Sequence, residues 1–252
     1  MFDVKKETQN ICNFIKDYFE KNNLYGAIIG LSGGKDSTIC AALLKEALGK
    51  ERVVGVTLPC HSKDEDAKDA KRVADFLGIE LINYDLTATF DEFKKGMEVF
   101  IDDEKECLNS DINLKPRLRT ASLYYLSALY SAKRKKTYIV CGTSNKSEIF
   151  VGYYTKGGDS VSDIRPLADL LKEEVTSVGE YLGLPHDLVY KTPSDGLSAL
   201  SDEDKLGVTY KEIGQYMKDP SSLDPEVAQR IKKLHESSRH KLYIPTYLKG
   251  DQ

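Results

Sequence analysis

The segment Gly30-Leu31-Ser32-Gly33-Gly34-Lys35-Asp36-Ser37-Thr38 holds the densest chemistry in the chain. Two adjacent glycines let a backbone bring its N–H groups close to an anion. A helix starting just beyond them adds unpaired donors and the positive end of its dipole. Ser32 and Ser37 contribute hydroxyls on either side. The pattern predicts a phosphate cradle. It is not a Walker A loop, in which Ser or Thr follows the lysine to hold a metal ion, because here Asp36 follows Lys35. No G-x-G-x-x-G occurs either, so the dinucleotide fingerprint is missing. The plainer alternative is a glycine-rich turn with a capping serine.

A cradle of this kind needs a strand before it and a helix after it. Ala27-Ile28-Ile29-Gly30-Leu31 is a short apolar run of buried-strand type, and Cys40, Leu43, Leu44, Ala47 and Leu48 then recur at helical spacing, closed by Gly49. Ile11, Phe14, Ile15 and Phe19 predict a helix over about 5–22. Val53 to Leu58 reads as a strand stopped by Pro59, residues 64–77 as a helix ending at Gly78, and Leu81 to Tyr84 as a third strand. Further on come a helix over about 118–132, a strand at Tyr138 to Cys141 and a helix over about 168–182. A last helix opens at Asp224-Pro225, an N-cap followed by proline at the first helical position. The alternation predicts an α/β fold: three layers, a mostly parallel doubly wound sheet with helices on both faces, in one domain. Residues 193–206, polar and turn-rich, read as a mobile loop.

Composition sets the outer bounds. The 252 residues are 40% hydrophobic and 30% charged, with a formal net charge of −4. That balance speaks against a general polyanion binder and hence against a nucleic-acid partner. The five cysteines (12, 40, 60, 107 and 141) are scattered without a C-x-x-C pair, which argues against a zinc or iron–sulfur site and for a reducing compartment. No run approaches the roughly 18 apolar residues that span a bilayer, and no signal-like stretch opens the chain. The expectation is a cytoplasmic protein with no membrane segment.

The string SGGKDS resembles the S-G-G-x-D-S loop of the N-type ATP pyrophosphatases. In those enzymes the loop holds the β,γ-pyrophosphate of ATP as leaving group while a substrate attacks the α-phosphorus. Several later segments resemble one branch, the NAD synthetases. Arg117-Leu118-Arg119-Thr120 with Tyr124 is similar to that family's R-x-R-M…Y helix. Gly142 to Glu148 is similar to G-T-x-N-K-S-E, and Gly152 to Asp159 with Asp163 and Pro166 to Leu170 is similar to G-Y-F-T-K-x-G-D…D-I-x-P-L-A-D-L. Pro193-Ser194, Asp202-Glu203-x-x-Leu206-Gly207 and His240-Lys241 match as well. Departures are Pro116 in place of alanine, Ser160 and Ser162 in place of small residues, and Asp195-Gly196 in place of an A-D pair.

The resemblance implies a ligase forming a C–N bond: ATP-dependent amidation of deamido-NAD to NAD, through an acyl adenylate, with release of AMP and pyrophosphate. By position, Asp36 and Glu148 would hold Mg²⁺. Gly30, Leu31, Ser32, Gly33, Gly34, Lys35, Asp36, Ser37, Thr143, Lys172 and Ser194 would bind ATP. Arg117, Lys156, Asp163, His240 and Lys241 would bind deamido-NAD, with Asp163 also orienting the pyridine end or the ammonia. Residues 1–24 leave no room for an amidase domain, so free ammonia is the expected nitrogen source, and the family implies a homodimer. The competing readings are a tRNA-modifying or GMP-synthetase-like relative with the same loop, and a nucleotide-binding module without turnover.

Overall fold

The computed structural model describes residues 2–62, 64–101, 107–191 and 201–243. Four strands form one parallel sheet in the order β3-β2-β1-β4: β1 Gly26–Gly30, β2 Val53–Thr57, β3 Glu80–Asn83 and β4 Tyr138–Cys141. Ile28 pairs with Val54 on one side and with Val140 on the other. From β1 the chain winds outward through β2 to β3, then crosses back to place β4 against the free side of β1. The sheet therefore has a switch point between β1 and β4, where open α/β sheets take their ligands beyond the carboxyl ends of the strands.

Right-handed crossovers in opposite directions put the connecting helices on opposite faces. Helices α1 (Val4–Lys21), α2 (Lys35–Leu48) and α3 (Asp64–Leu77) share one face with α7 (Lys172–Tyr181) and α8 (His186–Val189). Ile15, Phe19, Ile39, Leu43, Leu44 and Val178 fill that face with essentially no exposure. On the other face Ile28, Val54 and Val56 meet Phe90 of α4 (Thr87–Met97) and the apolar side of α5 (Leu108–Arg134). Three layers with helices on both faces are what the alternation predicts. A third apolar cluster, built around Ile213 and Ile231, joins α6 (Lys146–Val151), α9 (Asp202–Leu206), α10 (Tyr210–Lys218) and α11 (Pro225–Leu242).

Three expectations need correction. The helix expected over 168–182 starts only at Lys172. Leu167 and Leu170 are buried, which preserves the apolar spacing, but they sit in turns, and the Leu170 carbonyl accepts from the Lys146 N–H instead of continuing a helix. The helix expected from 118 runs from Leu108 and contains Pro116. Proline inside a helix removes a hydrogen bond at a cost of about 3 kcal/mol. Here the buried ring is a packing surface: a Cβ placed on Gly158 would come within 3.0 Å of Pro116 Cβ. Of the segment 193–206, residues 202–206 form α9, capped by Ser201, whose Oγ accepts from the Asp204 N–H while Asp204 accepts from the Ser201 N–H. The turn-rich composition there conceals a capping box. Residues 193–200, Ser194 included, lie outside the described residues.

Candidate active site

The turn after β1 is organised by its own side chains. Gly33 adopts φ +74, and a Cβ there would lie 2.6 Å from the Asp66 carbonyl oxygen, so glycine is required on both counts. Ser32 and Ser37 hydroxyls lie 3.1 Å apart, the Ser32 N–H donates to Ser37 Oγ, and the Gly34 N–H donates to Ser32 Oγ. Thr38 donates to the Gly34 carbonyl at 2.9 Å. These bonds pin the loop before any ligand is considered. α2 begins at Lys35, so Asp36 projects from its first turn. Burial lowers the Lys35 ammonium below the ordinary lysine range, and the neighbouring Lys172 charge lowers it further.

The turn after β4 lies alongside, across the switch point. Asn145 caps α6 and Glu148 returns the bond from the third helical position, the carboxylate Oε2 accepting from the Asn145 N–H at 3.3 Å. Lys172, the first residue of α7, reaches the same point with only 5% of its side chain exposed. Its Nζ donates to Asp36 Oδ2 at 2.7 Å and to Glu148 Oε1 at 2.8 Å. Three helices thus meet in one charge cluster around a buried lysine. Burial alone pulls the ammonium of Lys172 down, but Asp36 and Glu148 more than reverse this and hold it above the usual range. Burial pushes the Glu148 carboxyl up to about 7, with Lys172 acting against the rise. The face of Tyr210 lies 4.7 Å from Lys172 Nζ, a cation–π contact that closes the cluster from α10.

A cavity of about 490 Å³ opens over both turns. Of the residues singled out from sequence, Gly30, Leu31, Ser32, Gly34, Lys35, Asp36, Ser37, Thr143, Glu148, Lys172 and Lys241 line it. Arg117, Lys156 and His240 are not on its wall; they form a chain beside it. The Arg117 guanidinium donates to the Lys156 carbonyl, and Lys156 Nζ donates to the His240 carbonyl at 3.1 Å. Lys241 Nζ donates to the carbonyls of Gly152 and Tyr154 at 2.7 and 2.8 Å. Asp163 stands apart: its Oδ2 accepts from the Val140 N–H at 2.7 Å and its Oδ1 from the Tyr124 hydroxyl at 3.1 Å. Its carboxylate ties the segment after β4 to β4 itself and to α5.

Sequence reasoning missed other residues of this wall. Asp202 is buried between the hydroxyls of Tyr153 and Tyr210. Lys191 joins Asp66 and Asp69 beside the glycine turn. The family motif includes Asp202 without giving it a role, and nothing local marks Lys191. Asn145 did carry a signal, an N-cap residue three before a glutamate. Among the described residues no group of three or more His, Cys, Asp or Glu converges as a metal cage. Asp36 and Glu148 supply two carboxylates at one point, the pattern of an ion completed by ligand and water oxygens. Among the described residues no helix is long and apolar enough to cross a membrane.

Comparison with known proteins agrees across nearly the whole chain. The sequence profile described as NAD synthase matches residues 7–245. The NH(3)-dependent NAD(+) synthetase of Carboxydothermus hydrogenoformans is 35% identical over 242 residues, 96% of each chain. Among solved structures, the NMN synthetase of Francisella tularensis superposes with a TM-score of 0.88 at 31% identity, covering 99% of this chain and 100% of that one. The NH3-dependent NAD synthetase of Campylobacter jejuni gives 0.80 at 29% identity, with coverage of 99% and 100%.

Proposed function

Because the chain belongs to the NAD synthase family, and is thus an ATP-using ligase of NAD synthesis, we propose that it converts deamido-NAD to NAD with free ammonia, through an acyl adenylate. The observation that carries this reading is the convergence of the glycine turn, Asp36, Glu148 and Lys172 on one cavity at the switch point of the sheet. The turn's N–H groups and the α2 terminus suit the β- and γ-phosphates. Lys35 and Lys172 add positive charge, and Thr143 on the cavity wall and Ser194 complete the contacts to ATP. With the outer phosphates held there, the α-phosphorus faces the substrate carboxylate; its oxygen attacks, pyrophosphate leaves, and ammonia displaces AMP from the acyl carbon. Positioning and electrostatic stabilisation supply the rate, and no protein nucleophile is needed.

The donor set fits Mg²⁺. Each of the two carboxylates keeps lone pairs beyond its protein hydrogen bonds, and hard oxygen ligands in this number suit an ion shared with phosphate. Asp36 and Glu148 would hold it, and it would supply charge neutralisation of the triphosphate. Arg117, Lys156, His240 and Lys241 shape the 152–157 segment into the deamido-NAD side of the site, and Asp163 orients its β4 edge. The exposed side chains Phe93, Met97, Leu108 and Tyr125 on α4 and α5 suit a second copy of the chain. Its five cysteines are all free and buried, as suits a reducing cytoplasm.

Incubation with ATP, Mg²⁺, ammonium and deamido-NAD should yield AMP, pyrophosphate and NAD, read by mass spectrometry. ADP in place of AMP would refute attack at the α-phosphorus. The likeness to an NMN synthetase favours a second reading, in which the substrate is the acid form of the mononucleotide. Parallel kcat/KM values for the two acids decide between them, and deamido-NAD should win.

A further inference from the structure

Resting on the proposed metal role of Asp36 and Glu148, we propose that Asn145 is a positioning residue that holds these two carboxylates in register for one divalent cation. Asn145 is fully buried. Its Nδ2 donates to Asp36 Oδ1 at 3.0 Å, across 109 residues of sequence. Its Oδ1 accepts from the Glu148 N–H at 3.1 Å, and its own N–H donates to Glu148 Oε2 at 3.3 Å. Lys172 takes the remaining oxygen of each acid, Asp36 Oδ2 and Glu148 Oε1. Each carboxylate is therefore gripped at both ends, once by Asn145 and once by Lys172, and neither can rotate freely.

Helix capping alone does not account for the amide. A cap needs only a side-chain acceptor, and Ser, Thr or Asp supply one as well as Asn. An aspartate would set a third negative charge against Asp36. Serine and threonine would cap α6 but are too short to bridge to α2. Only the amide both accepts from Glu148 and donates to Asp36. Residues that orient metal ligands commonly change metal affinity or activity about 10- to 100-fold when lost.

This separates the two roles experimentally. Asn145→Ser and Asn145→Thr keep the cap and lose the donor to Asp36, and Thr fills more of the vacated volume should Ser fold poorly. Mn²⁺ binding in the presence of a non-hydrolysable ATP analogue, followed by electron paramagnetic resonance, should weaken about 10- to 100-fold in both. The Mg²⁺ concentration for half-maximal turnover should rise in parallel, and excess Mg²⁺ should restore turnover. Asn145→Ala, which also loses the cap, should melt below Asn145→Ser. Mn²⁺ affinity within twofold of the parent in both capped variants overturns the proposal. Asp36→Asn and Glu148→Gln distinguish the two ways of failing. If they abolish Mn²⁺ binding while the Asn145 variants leave it intact, the positioning role alone is wrong. If they too leave it intact, the metal reading itself is wrong.

Discussion

The two ends of the site use cationic side chains in opposite ways. At the switch point, Lys172 gives its donors to two carboxylates, whose charges offset its own. Beside the 152–157 segment, Arg117, Lys156 and Lys241 donate to backbone carbonyls. A bond to a carbonyl orients a cation without cancelling its charge, whereas a carboxylate does both. The first end is therefore a balanced buried network, the second a preformed positive field. On the proposed function, this contrast suits the triphosphate with its metal to the first end and the dinucleotide to the second.

Removing Lys172 tests the first half of that contrast and should have the largest effect. Lys172→Met leaves Asp36 and Glu148 buried and uncompensated, and loss of one partner of a buried pair costs about 3–5 kcal/mol. Equilibrium urea denaturation measures it. The deficit should depend on pH. A carboxyl whose folded-state value lies above its unfolded value contributes stability at low pH that is lost as pH rises through the folded value. Burial already pushes Glu148 up to about 7 in the intact protein, with Lys172 restraining it. Without the ammonium the rise is greater, so the variant should be least stable relative to the parent at high pH. A deficit that stays flat between pH 5 and 8 would break the description of this end as a balanced network.

At the other end the expected loss is in binding, not in folding. Lys241→Met removes a charge whose donors meet the Gly152 and Tyr154 carbonyls. Burial lowers this ammonium below the ordinary lysine range, with Asp159 acting against the shift, and Lys241 is one of the cationic side chains on the cavity wall. Hydrogen bonds to charged groups contribute about 1.5–3 kcal/mol. KM for deamido-NAD should accordingly rise about tenfold or more, while ATP affinity, measured by calorimetry without the dinucleotide, stays near the parent value. An equal loss for both ligands would mean that the two ends are not separate.

The same contrast explains what could be read from sequence. The glycine turn was legible because its chemistry is contiguous: Gly33, Gly34 and the two serines organise one another within six residues. The strands were legible in the alternation, but their order, and with it the adjacency of the β1 and β4 turns, follows only once the sheet reverses direction. Asn145 and Asp36 meet through that reversal, so no local pattern could pair them. The start of α7 was misplaced because Leu167 and Leu170 continue the apolar spacing through turns that are not helical. Periodicity reports burial and is blind to the backbone hydrogen bonds that decide helix from turn. Lys191, and the role of Asp202 within its legible motif, were invisible for a related reason, since each acquires its surroundings from segments far away in the chain.

The smallest expected effect settles where Asp163 belongs in this division. Its carboxylate bonds the Val140 N–H and the Tyr124 hydroxyl, and burial together with the Asp163 charge pushes that hydroxyl up to about 12. Such a tyrosine stays protonated and acts as a fixed donor. Tyr124→Phe deletes that donor alone and should cost about 1 kcal/mol of stability. If Asp163 only secures β4, then kcat and KM for ammonium in Tyr124→Phe should stay within about twofold of the parent, because the bond to Val140 still holds the carboxylate in place. If Asp163 also orients ammonia, freeing its Oδ1 from the tyrosine changes the group that meets the nitrogen, and KM for ammonium should move while KM for ATP does not. A shift confined to ammonium would carry Asp163 from the scaffold to the reacting end of the cavity.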